Sequence, residues 1–292
     1  MATIAQSQSP KRWQPWTLPW LGRQLLLVPE TVILPVIFGA HLLAGGALAV
    51  AVLGELVIAL FVLRTLLLWA AGRALDGGSY ARARRLSRLA LRLHPWSADA
   101  EALAGAVELA EGQAEAALGR FSRAAALFPG HGPLYVRMGA ALIADNDLGE
   151  ARWAALQALA CDDKQPGAYT LLAEVTLRGS NNGVTARELA QRGLAFAATA
   201  HAQAPLYTVL AEAQAVVGDL DAAGMAVEQA ELLLPLCPVP LQAELLYRLG
   251  TVRRQLGDRD RARADFLLVE EIDPRGRFVA PAWRARVETK AA

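Results

Sequence analysis

From Leu25 to Ala71 the chain is almost unbroken in apolar residues; beyond that, apolar and polar positions alternate in short blocks with helical spacing. The first pattern predicts membrane helices, because a bilayer core about 30 Å thick takes about 20 apolar residues per crossing. Residues 25–71 are enough for two. Ala44-Gly45-Gly46 predicts the turn between a first span at 25–43 and a second at 47–71. Pro29, Glu30 and Pro35 interrupt the first span, which therefore reads as kinked, interfacial or re-entrant as readily as fully crossing. Residues 1–24 begin polar and then place Trp13, Trp16 and Trp20 beside Lys11, Arg12 and Arg23, a mixture suited to lipid headgroups.

The second pattern repeats. Ala98 to His131 holds two alanine-rich helical stretches on either side of Gly112, closed by Pro129. A step of 34 residues carries Gly105 to Gly139 and Ala173, Ala83 to Ala117 and Ala151, and Pro95 to Pro129. A fixed period of this length predicts stacked helix pairs, each burying its apolar face on its neighbours. Small residues at the recurring positions let paired helices approach closely. Gly139 and Ala151 are expected to face each other across the third pair. One step back from Gly105 lands on Ala71, so the second span is expected to continue as the first helix of the first repeat, with Gly77-Gly78 as its turn.

These positions resemble the tetratricopeptide repeat (TPR) family. Tyr135 precedes Met138-Gly139, and Ala117 precedes Phe121 and Pro129. Tyr207 precedes Leu210-Ala211, then Ala223 and Pro235; Leu246 precedes Leu249-Gly250, then Ala262, Phe266 and Pro274. The resemblance implies a right-handed α-solenoid of about six repeats over residues 65–275, its first helix shared with the second span; with the hairpin read from the apolar run, the expected fold is all-α, an N-terminal transmembrane hairpin followed by the solenoid. It also implies a concave groove that receives protein partners. The fourth repeat is irregular, since Gly179 to Gly183 lengthens its turn. Cys237-Pro238-Val239-Pro240 reads as a rigid connector. Residues 276–292, with Trp283 and Val287 one turn apart, are expected to cap the solenoid.

Charge and composition narrow the function. The formal net charge is +1, which gives no global attraction to nucleic acid. The 54% hydrophobic content is high for a soluble protein. Arg73, Arg82, Arg84, Arg85, Arg88 and Arg92 follow the second span while its turn carries no Lys or Arg, so the repeats are expected on the cytoplasmic side of the inner membrane. Cys161 and Cys237 make no metal spacing and read as buried reduced thiols. There is no His-Glu-x-x-His, Gly-rich phosphate loop, Gly-x-Ser-x-Gly or Cys-x-x-Cys, so no enzyme, cofactor or metal chemistry is predicted.

Three sets of residues carry the functional expectations. The inner face of the solenoid offers Arg137 and Ile143, Glu174 and Arg178, Glu212, and Tyr247, Thr251 and Arg254 as groove residues. It lacks the Lys/Asn set with which chaperone-binding relatives hold a C-terminal carboxylate. Glu55 and Arg64 are ionisable groups in the apolar stretch, costly in lipid. Arg64 can snorkel; Glu55 either nears the outer interface, pairs within the hairpin, meets a partner membrane protein or serves proton chemistry. Arg82, Arg85, Arg88 and Arg92 form one face of a helix, read either as solvated or as a contact for anionic lipid headgroups. The sequence thus points to a membrane-anchored scaffold for protein partners, or to an accessory subunit or assembly factor of a membrane complex.

Overall fold

The structure, a computed structural model, describes residues 30–43 and 48–291. The tryptophan-rich segment in 1–24, the start of the first predicted span and the Ala44-Gly45-Gly46 turn lie outside the described residues. Those described form helices and no strands. In order they are α1 (Glu30–Leu43), α2 (Leu48–Asp76), α3 (Tyr80–Leu93), α4 (Ala98–Ala110), α5 (Ala114–Leu127), α6 (Gly132–Ala144), α7 (Leu148–Cys161), α8 (Pro166–Ser180), α9 (Gly183–Leu194), α10 (Ala200–Val217), α11 (Leu220–Leu233), a 3₁₀ turn (Leu234–Leu236), α12 (Val239–Gln255), α13 (Arg259–Ile272) and α14 (Val279–Ala291).

Six antiparallel pairs follow one another, from α2/α3 to α12/α13, each pair packing on the next. Their turns have a common chemistry. The chain enters the left-handed region at Gly78, Gly112, Asn146, Asn181, Gly218 and Gly257, 34 residues apart at first and 39 at the end. Gly112 shows why a side chain is disfavoured there: at φ 83° a Cβ would be strained, and it would also press on Arg277. In the last four pairs the next residue or so caps the second helix. Asp147, Asn182, Asp219 and Asp258 each accept a hydrogen bond from a backbone N–H three residues on, at 3.0–3.2 Å.

The core is built largely of alanine. Ala83, Ala117, Ala151, Ala190, Ala226 and Ala262 are all buried on second helices, where their size lets the first helices come close. Glycine and phenylalanine mate across two of the pairs: a Cβ on Gly105 would meet Phe121 at 2.9 Å, and one on Gly250 would meet Phe266 at 2.7 Å. In the third pair the closest approach to Gly139 comes from the next repeat. The atoms nearest a Cβ on Gly139 belong to Leu171 of α8, at 2.5 Å. The reason lies in the register: the position of Phe121 and Phe266 is Ala155 in this pair, and a leucine from the next repeat fills the space an aromatic ring occupies elsewhere.

Helix α2 has two environments. It is long and apolar enough to cross a membrane, by length and composition, and most of it is exposed. Its buried residues are Arg64, Ala71 and Ala74, where the first repeat begins. Arg64 is buried with its guanidinium 5.8 Å from the Phe61 ring centre. Helix α1 packs against the other end: a Cβ on Gly54 would meet Ile37 at 3.3 Å. At about 1.5 Å per residue, α1 as described spans about 21 Å, short of a bilayer core.

Overpacking tests the register. Gly105→Leu and Gly250→Leu should each lose about 1–3 kcal/mol, read as a lowered Tm of the full chain. Gly224→Ala, on α11 with open space around it, should instead gain about 0.4–1 kcal/mol, because alanine restricts the unfolded chain.

Candidate protein-binding groove

The first helices of the repeats face inward, and their residues divide the inner surface into two unlike halves. In the second half the charges consume one another. Arg248, on α12 and 7% exposed, donates Nε and Nη2 to the Glu212 carboxylate at 2.7 and 2.6 Å, and Nη1 to Glu174 at 3.1 Å. Arg178 pairs with Glu174 at 2.7 Å, and Arg277 with Glu244 at 2.5 Å. Glu244 lies 3.8 Å from Arg248. Three arginines thus balance three glutamates. Burial opposes the charge on Arg248, but Glu174 and Glu212 outweigh it and raise its pKa well above the ordinary value. Burial likewise pushes the Glu244 carboxyl up, yet Arg277 and Arg248 hold it below 4.5.

The first half is open. Leu68 and Gly72 of α2, Asp99 and Leu103 of α4, and His131 and Arg137 line a cleft of about 250 Å³. Phe128, stacked on His131 at 5.3 Å, adds an apolar wall. Arg137 is exposed, and its guanidinium lies within electrostatic reach of Asp99.

The two ends of the solenoid meet. Tyr80, at the start of α3, donates its hydroxyl to Asp273 at 2.6 Å, across 193 residues of sequence. The backbone N–H of Arg277 donates to the carbonyl of Ala110 at 2.9 Å. A Cβ on Gly78 would touch Val239 at 3.2 Å. Burial, then the bond to Asp273, raises the Tyr80 phenol well above its usual range, so the tyrosine keeps its proton and donates; burial also pushes the Asp273 carboxyl up. The segment after α13 therefore docks on the first two repeats. Helix α14 packs on α13 and α12.

The expected groove residues fall into three environments. Arg137 reaches the open cleft. Glu174, Arg178 and Glu212 are drawn into the Arg248 network. Ile143 is buried beside Leu171 and Val175, so its side chain binds the third repeat to the fourth; its backbone carbonyl accepts from Arg178 at 3.5 Å. Tyr247 packs 6.0 Å from the Phe266 ring and 5.5 Å from Phe278. Thr251 donates to the Tyr247 carbonyl of its own helix at 3.0 Å, and Arg254 reaches Glu288 of α14 at 3.3 Å. Arg82, Arg85, Arg88 and Arg92 are all exposed on α3. Glu55 lines a cleft of about 200 Å³ between α1 and α2 together with His41. No group of three or more His, Cys, Asp or Glu is placed to hold a metal among the described residues.

Arg248 escaped the sequence reading although Tyr247, Thr251 and Arg254 beside it did not. Its signal was the acidic residues it meets, Glu174 and Glu212, which sit on the first helices of two earlier repeats. Asp99 and His131 were passed over because each stands alone among alanines and at a repeat end.

The fold defines a helical-repeat solenoid. The sequence signature of the tetratricopeptide repeat matches residues 108–175. Among solved structures, the chain is similar to an APC/C hetero-tetramer chain of Cut9–Hcn1, with a TM-score of 0.56 and 16% identity over 92% of this chain and 54% of that one. It spans about half the length of that chain. A tetratricopeptide repeat protein from Parabacteroides merdae also gives 0.56, at 15% identity over 92% and 99% of the two chains. A TPR protein of Thermus thermophilus gives 0.53, at 19% identity over 67% and 98%. No curated protein matches the sequence. At these identities the structural likeness concerns the fold. Together with the repeat signature over residues 108–175, it supports a solenoid of the tetratricopeptide type.

Removing one member of the charge network should be costly. Arg248→Met leaves buried glutamates facing one another and should lower stability by about 3–5 kcal/mol in chemical unfolding. The network also sets an acid limit. Because the folded pKa of Glu244 lies below 4.5, its contribution is complete above that pH and is lost as pH falls through the folded value. The Tm of the wild type should therefore drop on acidification below about 4.5, and Glu244→Gln should flatten that part of the profile.

Proposed function

We propose that this protein is a membrane-anchored scaffold that gathers protein partners at the cytoplasmic face of a membrane. The observation that carries the reading is the continuity of α2. One helix holds an exposed apolar stretch suited to lipid, and it also supplies Leu68 and Gly72 to the open cleft. A groove placed that way lies close to the membrane. The TPR fold supports a role in binding protein partners rather than in catalysis. Six arginines on and just after the end of α2 favour the cytoplasmic side. The exposed basic face of α3 suits anionic lipid.

A second reading is favoured by one observation. His41 and Glu55 share the cleft between α1 and α2, within the apolar part of the chain. Polar groups at that depth commonly serve a function, and a neighbouring membrane protein could use them. Under this reading the chain is an accessory subunit or assembly factor of a membrane complex, held through its hairpin.

Purification in mild detergent separates the two. Arg137→Glu reverses the charge in the cleft and should release the partner of a scaffold, while Glu55→Gln should retain it. The opposite outcome would establish the hairpin as the contact. A reporter fused after Ala292 should be protected from external protease in intact cells; digestion from outside would overturn the orientation.

A further inference from the structure

We propose that the tip of α3, with the turn after it, is a lipid-inserting wedge that seats the first repeat in the membrane interface. This rests on the reading of α2 as a membrane span and adds how deeply the repeat domain sits. The geometry comes from a mismatch of lengths. After the turn at Gly77 to Ser79, α3 runs back along α2, and Tyr80 and Ala83 pack in one cluster with Ala74. Its fourteen residues cover about 21 Å, which brings its tip level with residue 63 of α2. Burial agrees: Arg64 is the buried residue of α2 nearest its N-terminus.

Only residues 48–63 of α2 then extend beyond the tip. They span about 24 Å, less than a hydrocarbon core of about 30 Å. If α2 crosses the bilayer from Leu48, the core ends near residue 68, and the exposed Trp69 stands at that level, where tryptophan concentrates at membrane boundaries. The tip of α3 lies below this plane by about 5–10 Å, the depth at which interfacial amphipathic helices rest.

The side chains fit the depth. Leu89 (44% exposed), Leu93 (43%) and Trp96 (61%) project from the lower end of α3 and its following turn. Nothing in the described structure covers them. The exposed arginines run from Arg82, above that plane, to Arg92 near the tip, and α3 contains no acidic residue. Arg82 and Arg85 stand near the phosphates, Arg88 and Arg92 reach back to them along their apolar stems, and Leu93 and Trp96 lie deepest, an order that suits the charge and polarity of an anionic leaflet. The occupant of this face is therefore the bilayer itself, reached by the same helix pair that begins the solenoid.

The test places a polarity-sensitive fluorophore on the full chain in a Cys161→Ser, Cys237→Ala background. One label is at Trp96→Cys, one at Leu56→Cys. The protein is reconstituted into vesicles of phosphatidylcholine with phosphatidylglycerol, carrying spin-labelled lipids with the quencher either shallow or deep in the acyl chain. The Leu56 label should be quenched by the deep probe. The Trp96 label should emit blue-shifted and be quenched more by the shallow probe. A Trp96 label that stays unquenched, beside a quenched Leu56 label, would overturn the wedge while leaving the membrane span standing. Two unquenched labels would overturn the span and the wedge with it.

Discussion

Arg248 carries its charge inside the protein only because three glutamates surround it. An isolated guanidinium there would be costly, and so would the glutamates without it. The consequence reaches beyond the four side chains. Glu174, Glu212 and Glu244 stand on the first helices of the fourth, fifth and sixth repeats, so their shared arginine sets the spacing of α8, α10 and α12. Once neutralised, that half of the inner surface offers a visiting peptide little free charge. The open half, near α2, keeps an accessible arginine beside apolar walls. The inner face thus has a charge-paired sector and an open sector, and the boundary between them is electrostatic.

The repeat itself was legible because backbone geometry imposes it. Each turn needs a residue that accepts a left-handed conformation, and each crossing needs something small, so Gly112, Gly105 and Ala117 recur at a spacing that survives divergence elsewhere. The partners of Gly139 were not legible. The register named the position that must be small but not the atoms that would press on it, and with Ala155 in place of an aromatic ring, Leu171 came from the next repeat. Ile143 shows the same limit: its place on a first helix suggested the groove, while its rotation about that helix put it in the core. The ion network and the Tyr80–Asp273 bond were beyond reach for a different cause. They depend on the bend of the whole solenoid, which small differences between repeats accumulate and no single repeat encodes.

Helix α2 runs without a linker from an exposed apolar stretch into the first repeat, where Ala71 and Ala74 answer to close packing. Such a junction leaves no freely rotating bond between the apolar stretch and the repeats. A groove wall made partly from this helix takes its orientation from whatever holds the helix.

An ordinary solenoid is a line, and a line can fray. Its stability is a sum of units and nearest-neighbour interfaces, and a terminal unit detaches by breaking one interface. The contacts of Asp273 and Arg277 with Tyr80 and Ala110 bend this line into a circle. Every repeat then has two neighbours, and none can leave without breaking two interfaces. Local opening therefore costs more at the ends than it would in an open array, and the loss of any one interface first converts the circle back into a line. The chain has in this way replaced a gradual, end-inward unravelling with a single opening event on which all later ones depend.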